Sequence, residues 1–153
     1  MINLVITFLA SFLIWFMFVG LLVLWLIDGK IKREQVLHAL LAVAFAWGIA
    51  QVVKALFPTV RPFELNDLTP LTLLPLNDGA FPSGHSAAAF ALATTIWLHD
   101  KKVGLIYIIS ALTVGIARVL GNVHYPIDIL GGAILGSATS FLAEKVHLRK
   151  FIS

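Results

Sequence analysis

The chain has 153 residues, of which 59% are hydrophobic and 12% are charged, and its mean hydropathy is +0.96. A soluble domain carries about 25% charged residues, so this composition excludes an ordinary soluble protein and indicates a single integral-membrane domain over residues 1–153. The sequence contains no cysteine, which excludes disulfides and cysteine-based zinc or iron–sulfur centres. The net charge of +3 is small and unevenly placed, a pattern that indicates membrane orientation and not nucleic-acid binding.

Five apolar segments are candidates for membrane spans, since a helix needs about 20 residues to cross the hydrocarbon core. A signal peptide is the alternative for the first segment, but a basic start and a small-residue cleavage site are both missing. The segments predict an all-α fold, a polytopic transmembrane helical bundle of about five spans. The predicted spans are 3–27, 34–57, 83–99, 103–120 and 126–146.

The connection over residues 58–82 is long and contains five prolines and a scatter of leucines. A loop of this length without regular structure is usually functional or disordered. Two interpretations stay open: the leucines contact the bilayer interface beside a lipid entrance, or the loop is a lid packed on the helix bundle. The leucines concerned are Leu65, Leu68, Leu71, Leu73, Leu74 and Leu76.

The basic residues divide unequally between the two sides of the predicted topology. Five spans place the loops on alternating sides, so that one side receives eight cations and the other side three. The positive-inside rule makes the first side cytoplasmic, so residues 58–82 are expected on the extracytoplasmic side. The eight cations are Lys30, Lys32, Arg33, Lys101, Lys102, Lys145, Arg149 and Lys150, and the three are Lys54, Arg61 and Arg118.

Lys54 and Arg61 form the first of three polar groups that stand where apolar segments begin or end. Lys54 closes the second span, and Arg61 follows in the loop. Alone, each suits an anchor at the membrane interface. Together they offer a phosphoryl group one point charge and one planar fork that binds two oxygens.

The motif Pro82-Ser83-Gly84-His85 is the second group and opens the third span. Ser83 is a favoured N-cap and so has a purely structural explanation. A helix N-terminus with a Ser-Gly pair also presents backbone N–H groups to an anion, and His85 would project from the first turn beside that anion.

Arg118, His124 and Asp128 are the third group, at the end of the fourth span and the start of the fifth. A carboxylate near a histidine fixes its tautomer, so that the other ring nitrogen is free to attack. Asp128 alone also suits the helix dipole. The predicted topology places all three groups on one membrane face, where ionisable residues are functional by default. The sequence therefore predicts a site that binds an anion and attacks it with a histidine.

In these motifs the chain resembles the type 2 phosphatidic acid phosphatase superfamily, the relatives of vanadium haloperoxidases and bacterial acid phosphatases. The family signature K-x6-R-P, P-S-G-H and S-R-x5-H-x3-D is present in order, except that Ala117 stands in place of the serine of the third motif. The resemblance implies that His124 is the nucleophile that forms a phosphohistidine, that Asp128 orients it, and that His85 protonates the leaving oxygen and then helps to activate water. It implies that the phosphate is held by Lys54, Arg61, Ser83, Gly84 and Arg118, and that no metal or other cofactor takes part.

The resemblance also implies a lipid phosphate as substrate, with undecaprenyl diphosphate as the first candidate. Phosphatidylglycerol phosphate or phosphatidic acid is the alternative, as is a lipid phosphotransferase. A catalytically inactive lipid-binding protein would not need to keep both His85 and His124. Membrane members usually have six helices, so the chain is expected to be a core that lacks one N-terminal span. A homo-oligomer is left open.

The remaining conspicuous residues have structural explanations. Small residues at Gly132, Gly136 and Ser140 recur every four positions and predict close helix packing in lipid. Six titratable residues are interpreted as interfacial or solvated groups: the histidines His38, His99 and His147 near predicted helix ends, and the acids Glu64, Asp67 and Asp78 in the long loop.

Overall fold

The computed structural model describes residues 1–27, 30–73 and 77–146, and for residues 30–32 the backbone alone. All regular structure within these residues is helical, which confirms the all-α prediction, and every predicted span corresponds to a helix. The helices are α1 Ile2–Ile27, α2 Lys30–Leu56, α3 Pro62–Asn66, α4 Gly84–His99, α5 Lys101–Leu120 and α6 Pro126–Ala143. The predictions for Leu74, Leu76, His147, Arg149 and Lys150 lie outside the described residues, as do the side chains of Lys30 and Lys32.

Four of these helices are long and apolar enough to cross a membrane: α1, α2 from Arg33 onward, α5 and α6. The predicted third span, α4, has 16 residues and is about 24 Å long, shorter than the hydrocarbon core of about 30 Å. The chain is a multi-pass membrane protein, and α4 differs from the other long helices because neighbouring helices surround it.

Helix α4 occupies the centre of the bundle and packs against α1, α2, α5 and α6. Most of its buried residues are small, and among them Ala87 and Ala91 allow a close approach of α6. A Cβ atom at Gly132 would lie 2.6 Å from the Ser83 carbonyl oxygen, and one at Gly136 would overlap the carbonyl of Ala87. The hydroxyl of Ser140 donates to the Ala91 carbonyl at 2.9 Å, so the small-residue face of α6 is the packing surface that the sequence predicted.

Helix α1 lies against α5 and α2 at the edge of the bundle. Its inner residues Ile14, Met17 and Leu21 are buried, and the Tyr107 hydroxyl of α5 donates to the Met17 carbonyl at 3.0 Å. The outer face exposes large apolar side chains such as Trp15, as expected for a helix that is solvated by lipid.

The connection between α2 and α4 is more ordered than the sequence suggested, because it contains α3 and is bonded to the bundle. The Leu71 N–H donates to the Gly121 carbonyl at 2.9 Å, and the Leu73 N–H donates to the Ser11 hydroxyl at 3.2 Å. The side chains of Leu65, Leu68 and Leu73 are more than 60% exposed. The backbone therefore packs on the bundle as a lid would, while its leucines face outward as contact with lipid would require.

Candidate active site

Arg61 is the most heavily bonded side chain of the site. It precedes α3, whose Glu64 side chain accepts a hydrogen bond from the Arg61 backbone N–H at 3.0 Å. Its guanidinium is 1% exposed and donates to the Val123 carbonyl at 2.9 Å and to the Asp78 carbonyl at 3.0 Å. These bonds tie the loop after α2 to the segment before α6 and fix the direction of the fork.

Lys54 and Arg61 share a carboxylate, that of Asp78. The Lys54 ammonium lies 2.5 Å from one Asp78 oxygen, and the Arg61 guanidinium donates to the other oxygen at 2.7 Å. Burial of the carboxylate opposes its ionisation, but the hydrogen bonds and charges of Lys54 and Arg61 outweigh this and lower the pKa of Asp78 below its ordinary value. Asp78 is thus an anion held where two of the predicted phosphate-binding cations meet.

Asp78 was wrongly interpreted from the sequence as a solvated surface acid. Its side chain is 40% exposed, but it forms ion pairs with both Lys54 and Arg61. Charge balance could have indicated it, because cations buried among apolar segments need counter-ions. Glu64 and Asp67, its neighbours in the loop, are exposed as expected.

His124 is buried between two arginines and a carboxylate. Its Nδ1 lies 3.3 Å from the Asp128 carboxylate, and its Nε2 lies 3.4 Å from a guanidinium nitrogen of Arg61 and 3.4 Å from one of Arg118. A guanidinium can only donate, so the two arginines favour the tautomer in which Nδ1 carries the proton and Nε2 presents its lone pair. That lone pair faces the position where two cations would hold an anion.

Asp128 is placed by the first turn of α6. Its Oδ2 accepts from the Tyr125 backbone N–H at 2.8 Å as well as from His124, so one oxygen caps the helix and orients the imidazole. The backbone carbonyl of Asp128 accepts from the Ser83 N–H at 3.0 Å, which joins the start of α6 to the start of α4.

Arg118 projects from the last turn of α5 and is 2% exposed. One guanidinium nitrogen donates to the Ala10 carbonyl of α1 at 3.3 Å, and another faces His124. Among the described residues its Nε has no hydrogen-bond partner. Arg118 therefore retains donor capacity that a bound anion can use.

The Pro82-Ser83-Gly84-His85 motif begins α4 at the edge of the same cavity. Ser83 is the N-cap, and its hydroxyl accepts from the Ser86 N–H at 3.4 Å. Gly84 and His85 line the cavity, whereas Ser83 is fully buried behind them. Direct contact of phosphate with the Ser83 hydroxyl stays a prediction.

A cavity of about 710 Å³ collects most of the predicted residues on one side of the bundle. Lys54, Arg61, Gly84, His85, Arg118 and His124 line it, and Asp128 lies behind His124. Additional walls that the sequence did not suggest are provided by Trp47, Gln51, Asn77 and Asp78, and the apolar part is formed by Ile14, Trp15, Phe18, Val43 and Ala88. The cavity is polar at one part and apolar at another, as an amphiphilic ligand requires.

The electrostatics of the cavity keep His124 neutral. Burial and the charges of Arg118 and Arg61 lower the pKa of His124, the hydrogen bond with Asp128 opposes this, and the net result is a pKa of about 4. A neutral imidazole at neutral pH has a free lone pair, which a nucleophile needs.

A membrane-embedded helical bundle that gathers three cations around a buried histidine–aspartate pair defines a phosphate-handling membrane enzyme. The chain belongs to the PAP2 superfamily, whose family model matches residues 35–152. The predicted family is therefore confirmed, and with it the class of enzyme, a phosphatase.

Three similar proteins show how much of the chain the likeness covers. The bacitracin transport permease protein BcrC of Bacillus licheniformis is 34% identical over 140 residues, 89% of this chain and 67% of that protein. The undecaprenyl-diphosphatase BcrC of Bacillus subtilis (strain 168) is 30% identical over 135 residues, 86% of this chain and 69% of that protein. The crystal structure of Aquifex aeolicus LpxE superposes with a TM-score of 0.80 at 28% identity, covering 95% of this chain and 86% of that one.

Proposed function

We propose that this chain hydrolyses a lipid diphosphate at its terminal phosphorus, with undecaprenyl diphosphate as the first candidate substrate. The products are the lipid monophosphate and inorganic phosphate. The similar protein of Bacillus subtilis named undecaprenyl-diphosphatase BcrC supports this choice of substrate.

One observation carries the proposal. The Nε2 atom of His124 lies 3.4 Å from a nitrogen of Arg61 and 3.4 Å from a nitrogen of Arg118, while Nδ1 is bonded to Asp128. An anion that binds both guanidinium groups is brought directly to the lone pair of Nε2. Such pre-organised charge is usually the largest single contribution to catalysis of this kind.

In the first step, Nε2 of His124 attacks the terminal phosphorus and the bond from phosphorus to the bridging oxygen breaks. The lipid phosphate leaves and takes a proton from His85, which has to be cationic in the substrate complex, a form that the negative charge of the bound diphosphate favours. Arg61, Arg118 and Lys54, with the Gly84 backbone, stabilise the charge on the phosphoryl oxygens. The Asp128 carboxylate stabilises the positive charge that develops on the imidazole.

In the second step, water attacks the phosphohistidine and the phosphorus–nitrogen bond breaks. His85, now unprotonated, accepts a proton from that water. Inorganic phosphate leaves, and His124 returns to its neutral form with the proton on Nδ1. Each residue ends in the state in which it began.

Asp78 competes with the substrate phosphate for Lys54 and Arg61. Its carboxylate forms ion pairs with both Lys54 and Arg61. A phosphate that enters has to share or take over some of those hydrogen bonds, and Asp78 holds the two cations beside each other by screening their repulsion.

The apolar part of the cavity is consistent with a lipid substrate. Ile14, Phe18 and Val43 lie on α1 and α2, and the same cavity reaches the charged groups. The headgroup would lie among the cations and the first part of the hydrocarbon chain between α1 and α2. A phosphatase for a water-soluble ester would have no need of this wall.

The substrate is tested with purified protein and a panel of undecaprenyl diphosphate, phosphatidylglycerol phosphate and phosphatidic acid. The expected result is a higher kcat/KM for the diphosphate, with release of inorganic phosphate and lipid monophosphate. The exposed-site variant Asp67→Asn is the matched control, and His124→Ala gives the background. Preference for phosphatidylglycerol phosphate or phosphatidic acid would contradict the substrate, and a phosphorylated acceptor among the products would indicate a phosphotransferase.

We further propose that the cavity faces the extracytoplasmic side, as the distribution of basic residues predicts. The chain has no cysteine, so single cysteines at the exposed positions Asn66 and Lys101 are specific reporters. A membrane-impermeant thiol reagent should label position 66 and not position 101 in intact cells. The opposite pattern would reverse the orientation.

A further inference from the structure

A second cluster of titratable side chains lies at the opposite end of the bundle from the phosphate cavity. It consists of His38 on α2, His99 at the end of α4 and Glu144 just after α6. Along α4, His99 follows the cavity residue His85 by 14 positions, a rise of about 21 Å. The cluster is therefore separate from the site described above.

The three side chains meet, with potential metal-ligand atoms within a few ångströms of one another. Nε2 of His99 lies 2.7 Å from Oε1 of Glu144, and Nδ1 of His38 lies 3.5 Å from the same oxygen. The two imidazole rings are parallel within 8°, with centroids 5.7 Å apart. One ligand atom from each residue can be chosen so that all three lie within 4.8 Å of one another. Neighbouring ligands of a tetrahedral zinc ion, with bonds of about 2.0–2.1 Å, are about 3.3 Å apart.

The surroundings of His38 are the strongest indication of a metal site in this cluster. The His38 side chain is 4% exposed, and Nε2 lies 3.0 Å from the Val146 carbonyl oxygen. Only an N–H can donate to a carbonyl, so Nε2 carries a proton, and Nδ1 is the ring nitrogen that can bind a metal ion when it is unprotonated. Within the part of the chain that the structure describes, Nδ1 has no hydrogen-bond partner.

Nδ1 faces the Glu144 carboxylate oxygen at 3.5 Å, a contact that is favourable when a proton or a metal ion lies between the two atoms. Metal-binding histidines almost always donate the other ring N–H to a carboxylate or a backbone carbonyl, which fixes the ring and its tautomer. His38 has this arrangement already through Val146. His38 was predicted to be an interfacial residue, but its side chain is buried.

We propose that His38, His99 and Glu144 bind one divalent transition-metal ion, with zinc as the best match. Two imidazoles and one carboxylate suit zinc, whereas magnesium and calcium prefer oxygen ligands only. Binding would release the proton that His99 shares with Glu144. The ion would join the ends of α2, α4 and α6, the helices whose other ends carry Lys54, His85 and Asp128. Its role would be to hold these helices in register, not to take part in phosphoryl transfer.

The test measures zinc content and thermal stability in detergent, with an affinity tag that contains no histidine. The protein is stripped with a chelator, reconstituted with Zn²⁺ and freed of excess metal. Wild type should hold one zinc per chain, and Zn²⁺ at 100 times its Kd should raise the Tm by about 5–10 °C. Mg²⁺ should produce no such rise.

Glu144→Gln preserves the shape of the side chain and removes the anionic ligand, so it should reduce bound zinc to less than a tenth of the wild-type amount. His99→Ala, at a side chain that is 23% exposed, is a second variant should Glu144→Gln fail to fold. Asp67→Asn is the matched carboxylate-to-amide control at the other end of the molecule, and His85→Ala removes one imidazole from the phosphate cavity. Both controls should keep the zinc. The proposal is overturned if wild type retains no zinc, if both ligand variants retain it, or if His85→Ala loses it.

Discussion

Replacing Asp128 by asparagine removes the negative charge of the side chain but keeps its shape, so the variant measures what the charge alone contributes. Oδ2 of Asp128 accepts from the Tyr125 N–H at 2.8 Å and lies 3.3 Å from Nδ1 of His124. The amide of Asp128→Asn has one oxygen, and the Tyr125 N–H can bond only to an acceptor, so the amide oxygen should take the place of Oδ2. Because the amide oxygen can accept from the backbone N–H of the N-cap residue Tyr125 as the carboxylate does, α6 and the His124 tautomer should both be preserved.

The rate should then fall only by what the charge contributes. A hydrogen bond to a charged group is worth about 1.5–3 kcal/mol and a neutral one about 0.5–1.5 kcal/mol, a difference of about 1–2 kcal/mol in the stabilisation of the cationic imidazole. At about 1.36 kcal/mol per tenfold change in rate, kcat should fall by about 5–30-fold.

Steady-state phosphate release should show this loss in kcat with KM and Tm nearly unchanged, whereas Asp128→Ala should lose more activity and also lower the Tm through the lost cap. Asp67→Asn should behave as wild type. Wild-type kcat in Asp128→Asn would refute the role given to the carboxylate, and a loss as large as that of His124→Ala would refute the placement of the amide oxygen.

Three further predictions follow from the same site. His85→Ala removes the proton donor but not the nucleophile, so kcat should fall by about 10²–10⁴-fold for a monoester and less for a diphosphate, whose leaving group is better; equal losses for both would contradict the assignment. The pKa of His124 is lowered to about 4, and protonation below this pH should remove the attacking lone pair. We therefore expect kcat/KM to fall as the pH is lowered through about 4. A fall centred near pH 6.5 would contradict the lowered pKa. Vanadate should inhibit by forming a pentacoordinate adduct on His124, whereas a chelator should leave the initial rate unchanged well below the Tm; chelator-sensitive initial rates would contradict metal-independent transfer.

The sequence predicted the helices well because membrane spans depend on long apolar runs, which are local features. The third predicted span, 83–99, corresponds to α4, which has 16 residues and is surrounded by the other long helices. The close packing of α4 and α6 could be predicted because Gly132 and Gly136 recur at helical spacing on a single element.

Two side chains show what could not be predicted. Asp78 follows α2 by more than 20 residues, and only the path of the loop brings its carboxylate back to Lys54 and Arg61. His38 lies near the start of α2, where a histidine usually faces the interface, but α4 and the end of α6 cover it in the folded chain. Contacts between segments that are distant in the sequence determine the surroundings of both Asp78 and His38, and no local sequence pattern predicts such contacts.

The phosphohistidine is the central intermediate of this account, and trapping it is the most direct test. Wild-type protein is mixed with substrate that is labelled in the terminal phosphate, quenched into alkali within a single turnover, and separated from free lipid. The label should remain on the protein of wild type and be absent from His124→Ala, while His85→Ala should retain it for longer because water activation is impaired. Label on the protein in His124→Ala, or normal turnover by that variant, would contradict the assignment of His124 as the nucleophile.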